Sequence, residues 1–81
     1  MDTAVAFGLV LRRLRLAAGL TQEQLGLDAD LRRTYVSILE LGQQQPSLGT
    51  ILKLAKALSV SGAALIEQVE SELAGKGRRH T

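Results

Sequence analysis

Helix punctuation is the feature of this sequence that most restricts its fold. Thr21, Ser47 and Ser61 each stand directly before a run of helix-forming residues with apolar periodicity, and Gly19 and Gly42 each close one. Hydroxyl side chains accept hydrogen bonds from the free N–H groups of a first helical turn, and glycine adopts the left-handed conformation that ends a last one. The chain is thereby cut into helices too short to persist alone in water, so they must bury their apolar stripes against one another.

The spacing predicts five such helices. The first runs from Thr3 to Ala18 with Phe7, Leu11, Leu14 and Ala18 as its core stripe. The second covers Gln22–Ala29, where Thr21 and Gln24 have the spacing of a capping box, and Asp30 breaks it. A third spans Arg33–Leu41, and residues 43–46 form a loop because the residue before Pro46 is pushed out of helical space. Ser47 starts a fourth helix with Leu48, Ile51, Leu52, Ala55 and Leu58 on one side. Ser61 starts a fifth, in which Leu65, Ile66, Val69 and Leu73 share a stripe. From Gly75 the composition turns to Gly-Lys-Gly-Arg-Arg-His-Thr, so residues 3–74 read as one domain and 75–81 as a flexible basic tail.

With 81 residues, 46% hydrophobic but only 2% aromatic, the chain supports one modest aliphatic core and leaves no room for a separate effector-binding module. The fold class is all-α. There is no cysteine, and the single histidine, His80, lies in the tail, so neither a metal site nor a cofactor is expected. No nucleophile–base pair or phosphate-cradling glycine loop suggests an enzyme. No apolar run approaches the ~20 residues of a membrane span, and the opening Met1-Asp2 is not that of a signal peptide, so a cytoplasmic protein is expected. The net charge of +2 conceals a division: residues 1–75 carry seven basic and eight acidic side chains. Any affinity for nucleic acid must come from positive charge gathered on one face.

Residues 22–41 contain two short helices separated by a tight turn, the spacing of a helix-turn-helix. That unit requires a small residue at the close approach, supplied by Gly26, and a turn residue tolerant of the left-handed region, supplied by Asp30. It also requires apolar residues at Leu25, Leu31, Val36 and Leu39, and all four are present.

The pieces Phe7-Gly8, Leu11-Arg12, Leu14-Arg15, Gly19-Leu20-Thr21-Gln22-Glu23-Gln24-Leu25, Arg33-Thr34-Tyr35-Val36-Ser37, Glu40, Gly42, Pro46-Ser47-Leu48, Leu52, Leu54-Ala55-Lys56-Ala57-Leu58 and Val60-Ser61 stand in unbroken register. With them, from Phe7 to Ile66, the chain resembles the Cro/CI (XRE) family of helix-turn-helix DNA-binding proteins. The Arg33–Ser37 segment is further similar to controller proteins of restriction–modification systems. The resemblance implies a compact five-helix, lambda-repressor-like domain whose third helix enters the major groove of double-stranded DNA. It assigns base contacts to Arg33, Thr34, Ser37 and Ile38. It assigns backbone contacts to Arg32, Gln43 and the start of the second helix at Thr21 and Gln22, with Gln22 able to reach a phosphate or a base edge. It makes Arg15 and Glu40 a buried structural ion pair.

Three departures qualify the resemblance. Arg32 replaces the usual capping Ser or Thr of the third helix, Leu41 replaces a basic or amide residue, and Gln43–Gln45 replace a loop often rich in Lys and Arg. They predict modest affinity with a shallow salt dependence, and they support an alternative reading as a protein-interaction or antitoxin-like module. Val5, Leu9 and Leu16 form a second apolar line on the first helix, and Val69 and Leu73 lie beyond what the core needs. These two stripes either pack on each other within one chain or meet across a two-fold axis; the favoured assembly is a homodimer joined chiefly through Val69 and Leu73 on the fifth helix, acting on a palindromic operator without a small-molecule ligand.

Overall fold

The computed structural model describes residues 1–75. Five helices follow one another: α1 (Thr3–Ala17), α2 (Gln22–Ala29), α3 (Arg33–Glu40), α4 (Leu48–Ala57) and α5 (Gly62–Leu73). The described residues contain no strand, and no single helix among them is long and apolar enough to cross a membrane. The basic tail predicted for 75–81 lies, beyond Gly75, outside the described residues.

The helix boundaries follow local chemistry. Thr21 Oγ1 accepts from the Gln24 N–H at 3.0 Å while Gln24 Oε1 accepts from the Thr21 N–H at 2.8 Å, completing the capping box. Ser47 and Ser61 accept from the N–H groups of Thr50 and Ala64. Asp2 caps α1 in the same way, accepting from Val5 N–H at 2.8 Å, a cap the sequence reading did not name. Arg32 makes no side-chain cap for α3, as expected of a residue with no acceptor. Gly19 and Gly42 take positive φ, both +73°, and the following N–H groups reach back to Arg15 O and Ile38 O, closing α1 and α3.

The helices wrap one core. α1 packs on α3 and α5, α2 on α3 and α4, and α4 on α5. Ala6, Phe7, Val10 and Leu11 of α1 meet Leu25 and Ala29, Val36 and Leu39, Leu54, Ala55 and Leu58, and Leu65 and Val69 in a single cluster. Each fully buried leucine in it contributes about 1.5–3 kcal/mol relative to exposure.

Two predicted stripes are turned in the structure, and on a third one residue changes role. On α1, Ala6 and Val10 are buried and Ala18 is exposed, so the core face is rotated toward the i−1 side of the predicted line. On α4, Leu54 is buried while Leu48 and Leu52 face outward. On α5, Val69 is 5% exposed and belongs to the core, because α1 and α4 both lie against that side of the helix. It cannot serve as the dimer contact expected from the sequence, whereas Leu73 remains available at 42% exposure.

The turn between α2 and α3 positions everything that follows. Asp30 adopts φ +59°, ψ +46°, and the Leu31 N–H donates to Gly26 O at 2.7 Å. A Cβ on Gly26 would lie 2.7 Å from the Leu31 carbonyl oxygen, so the small residue is required by the backbone of the turn itself.

Candidate nucleic-acid interface

α3 buries Val36 and Leu39 and presents its opposite side to solvent. Arg32, Arg33 and Thr34 are exposed, Ser37 and Ile38 half-buried, and Tyr35 packs against the core edge. Two cations at the start of α3 oppose the helix macrodipole, a local cost of ~0.3–1 kcal/mol each that an anion at this site would reverse.

The start of α2 faces the same space. Leu25 N–H is the first to close an intrahelical bond, to Thr21 O, and Gln24 N–H is taken by Thr21 Oγ1. The N–H groups of Gln22 and Glu23 are left at the positive end of the helix. Thr21, Gln22 and Glu23 line one open concavity with Gly19 and Arg33, and Arg15 forms part of its wall. The structure therefore brings Thr21, Gln22 and Arg33 together. Gln43 stands past the C-terminal end of α3, separated from Arg33 by the length of an eight-residue helix, ~12 Å. Leu41, at 66% exposure, lies at that far end too.

Behind the concavity, Arg15 and Glu40 form the ion pair that the resemblance implied. Arg15 Nε donates to Glu40 Oε2 at 2.6 Å and Nη2 to Oε1 at 3.0 Å, with side chains 8% and 3% exposed. Arg15 Nη1 also donates to the Leu20 carbonyl at 2.9 Å. The hydrogen bonds to Glu40 hold the guanidinium even more firmly protonated than usual, and the carboxylate's charge adds to this against the opposing cost of burial. Gln22 Nε2 donates to Glu40 Oε1 at 3.0 Å, so a residue expected to face DNA is also tied to the pair. A second ion pair, Arg13 Nη2 to Glu72 Oε1 at 2.8 Å, joins α1 to α5 with Glu72 buried and Arg13 largely exposed. Neither the Gln22 bond nor the Arg13 pair was read from the sequence. Glu72 sits three residues after Val69 and seven after Leu65, a spacing that does mark it as inward-facing.

A second surface is apolar. Leu48 (71% exposed), Leu52 (52%) and Ile66 (38%) surround a groove with Ile51, Gly62 and Ala63 between α4 and α5. A Cβ on Gly62 would lie 2.7 Å from Leu52 Cδ2, so the glycine forms the floor beneath that leucine.

Residues 11–65 match a family model described as Helix-turn-helix. Control protein C.BamHI of Bacillus amyloliquefaciens is 40% identical over 62 residues, covering 75% of this chain and 76% of that protein. Control protein C.MunI of a Mycoplasma species is 33% identical over 72 residues, 88% of this chain and 97% of that protein. Among solved structures, the restriction-modification controller protein C.AhdI from Aeromonas hydrophila superposes with a TM-score of 0.74 at 48% identity. That match covers 76% of this chain and 94% of the controller.

Proposed function

The chain belongs to the XRE-type helix-turn-helix family of DNA-binding transcription regulators, and on that premise we propose that it is a dimeric, sequence-specific regulator of the restriction–modification controller kind. The observation that carries the reading is the convergence of Arg33 and the N-terminus of α2 on one concavity. Backbone N–H groups and a guanidinium on the same rim suit a phosphate beside a groove edge. α3, inserted in the major groove, offers Arg33 to guanine O6 and N7, Thr34 and Ser37 as short adaptable partners, and Ile38 to a thymine methyl. Arg32, Thr21 and Gln43 contact the backbone and set the register.

The folded body is not basic overall, but its charge is divided in a way that suits this role. Arg13 and Arg15 are committed to Glu72 and Glu40, whereas Arg32 and Arg33 stand exposed at the start of α3. Of the other exposed cations, Arg12 lies on α1 and Lys53 and Lys56 on α4, so only Arg32 and Arg33 gather at the start of α3, and affinity is modest with a shallow salt dependence. The partner is a second copy of the chain, seated across the groove of Leu48, Leu52 and Ile66, and exposed Leu73, seven residues after Ile66, extends the same face of α5. Exposed leucines of this extent on so small a domain favour burial against a like surface. A two-fold axis there calls for a palindromic operator, its half-sites one DNA turn, ~34 Å, apart. The role carries a cytoplasmic location with it.

Selection of bound sequences from a randomised duplex pool tests the proposal. Enrichment of a two-fold-symmetric site is the expected result. Absence of any enrichment would contradict it and favour the protein-interaction reading through Ile38 and Leu41.

A further inference from the structure

Leu20, Arg15, Glu40 and Gln22 form an unbroken series of hydrogen bonds from the loop before α2 into its first residue. Arg15 donates to the Leu20 carbonyl at 2.9 Å and twice to Glu40, and Glu40 Oε1 accepts a further bond from Gln22 Nε2 at 3.0 Å. A carboxylate only accepts, so its chemistry dictates that Gln22 turn its amide nitrogen toward Glu40. One Gln22 N–H is thereby consumed. The carbonyl oxygen and the second N–H remain, side by side on one planar amide, on a residue that lines the concavity shared with Arg33.

Those two remaining groups have a definite complement. Adenine presents an N6 donor and an N7 acceptor in the major groove, matching an amide's acceptor and donor. A phosphate is a less complete partner, because it can accept from the second N–H but has no donor for the carbonyl oxygen, whereas an adenine edge engages both. Anchoring also matters: a free glutamine loses rotamer freedom on binding, while one already tied to a buried carboxylate has lost it beforehand.

The geometry points to Glu40 as a positioning residue for DNA recognition, one that fixes the Gln22 amide to read an adenine edge and so joins the α1–α3 ion pair to sequence preference. The inference rests on the DNA-binding reading above. Glu40 itself stays behind the surface, and it acts only through Gln22.

The test measures the full-length chain against its selected operator and all single-base-pair variants of one half-site. Wild type is compared with Gln22→Ala and with the double variant Arg15→Met/Glu40→Leu, which removes both charges together and strands neither. Wild type is expected to prefer A·T at one position by about tenfold or more. Both variants lose that preference and keep the one at the position read by Arg33. If the double variant keeps an A·T preference that Gln22→Ala loses, or if Gln22→Ala changes no base preference, Glu40 is not positioning a reader. A wild type with no preference at any position contradicts the DNA-binding reading itself, a distinguishable failure. NMR of the wild-type chain reads the anchor without any variant: one Gln22 Nε2 proton should exchange slowly and resonate downfield of the range of solvated glutamine side chains. Two fast-exchanging protons resembling those of a solvated glutamine would overturn the proposal.

Discussion

A Cβ placed on Gly8 would lie 2.5 Å from the carbonyl oxygen of Leu39, so α1 and α3 approach until backbone meets backbone. This contact sets how far α3 stands off the body of the domain, and with it the projection of Arg33. The same close approach brings Arg15 and Glu40, further along the two helices, within hydrogen-bonding distance.

Gly8→Ala should therefore destabilise the fold. An interior helical alanine is ordinarily favoured over glycine by ~0.5–1 kcal/mol. Here the added methyl meets backbone that cannot rotate away, and overpacking of this kind costs ~1–3 kcal/mol. Gly49→Ala in α4 is the control, since its Cβ would find only Ser47 Oγ at 3.9 Å. Urea melts should show a lower midpoint for the first variant and an equal or higher one for the second.

Arg15→Met should cost ~3–5 kcal/mol, because it leaves the Glu40 carboxylate, 3% exposed, without its cation. Arg15→Met/Glu40→Leu should recover most of that loss. The raised Arg15 pKa contributes stability that is complete below the unfolded value and is lost only as pH climbs through the folded one. That window lies in strong alkali, so thermal melts between about pH 6 and 9 should show no change attributable to Arg15.

Ser59 holds the left-handed conformation, φ +61°, that Gly19 and Gly42 adopt where they close α1 and α3. The Val60 N–H donates to Ala55 O at 2.9 Å, completing the same closing motif. Ser59→Gly should raise stability by ~1 kcal/mol, and Ser59→Val should lower it. For a domain of this size the first is a rise of ~4–8 °C in Tm.

Leu52→Glu should yield a folded monomer. The side chain stands 52% exposed over Gly62, so the substitution leaves the core intact while burying a charge in any interface across the groove. Sedimentation velocity reads the change, and helical circular dichroism should be unaltered. Val69→Ala behaves differently, lowering Tm through a core cavity.

Much of this fold was legible because helix ends are local. The Thr21–Gln24 box, the Ser47 and Ser61 caps and the left-handed Asp30 depend on residues three or four apart. Periodicity located the apolar stripes but not their rotation about the helix axis, which is set by the neighbours. Leu52 consequently lies at the surface, and Val69, on its predicted stripe, is taken up by the core rather than left for an interface. The Arg13–Glu72 pair spans 59 residues, and its polarity disguised an inward position that periodicity alone would assign to a leucine. Gln22 was legible as an interface residue, but its bond to Glu40 depends on how α2 meets the end of α3.

The central claim is that α3 reads DNA through Arg33. The direct measurement is fluorescence anisotropy of wild type and Arg33→Ala on the selected operator and on a scrambled duplex, with a thermal melt of each protein. Arg33 is exposed and outside the core, so its removal should leave Tm unchanged while the preference for operator over scrambled duplex falls by about 5- to 150-fold, the worth of one bidentate guanine contact. A folded Arg33→Ala variant that still prefers the operator as strongly as wild type would contradict the account.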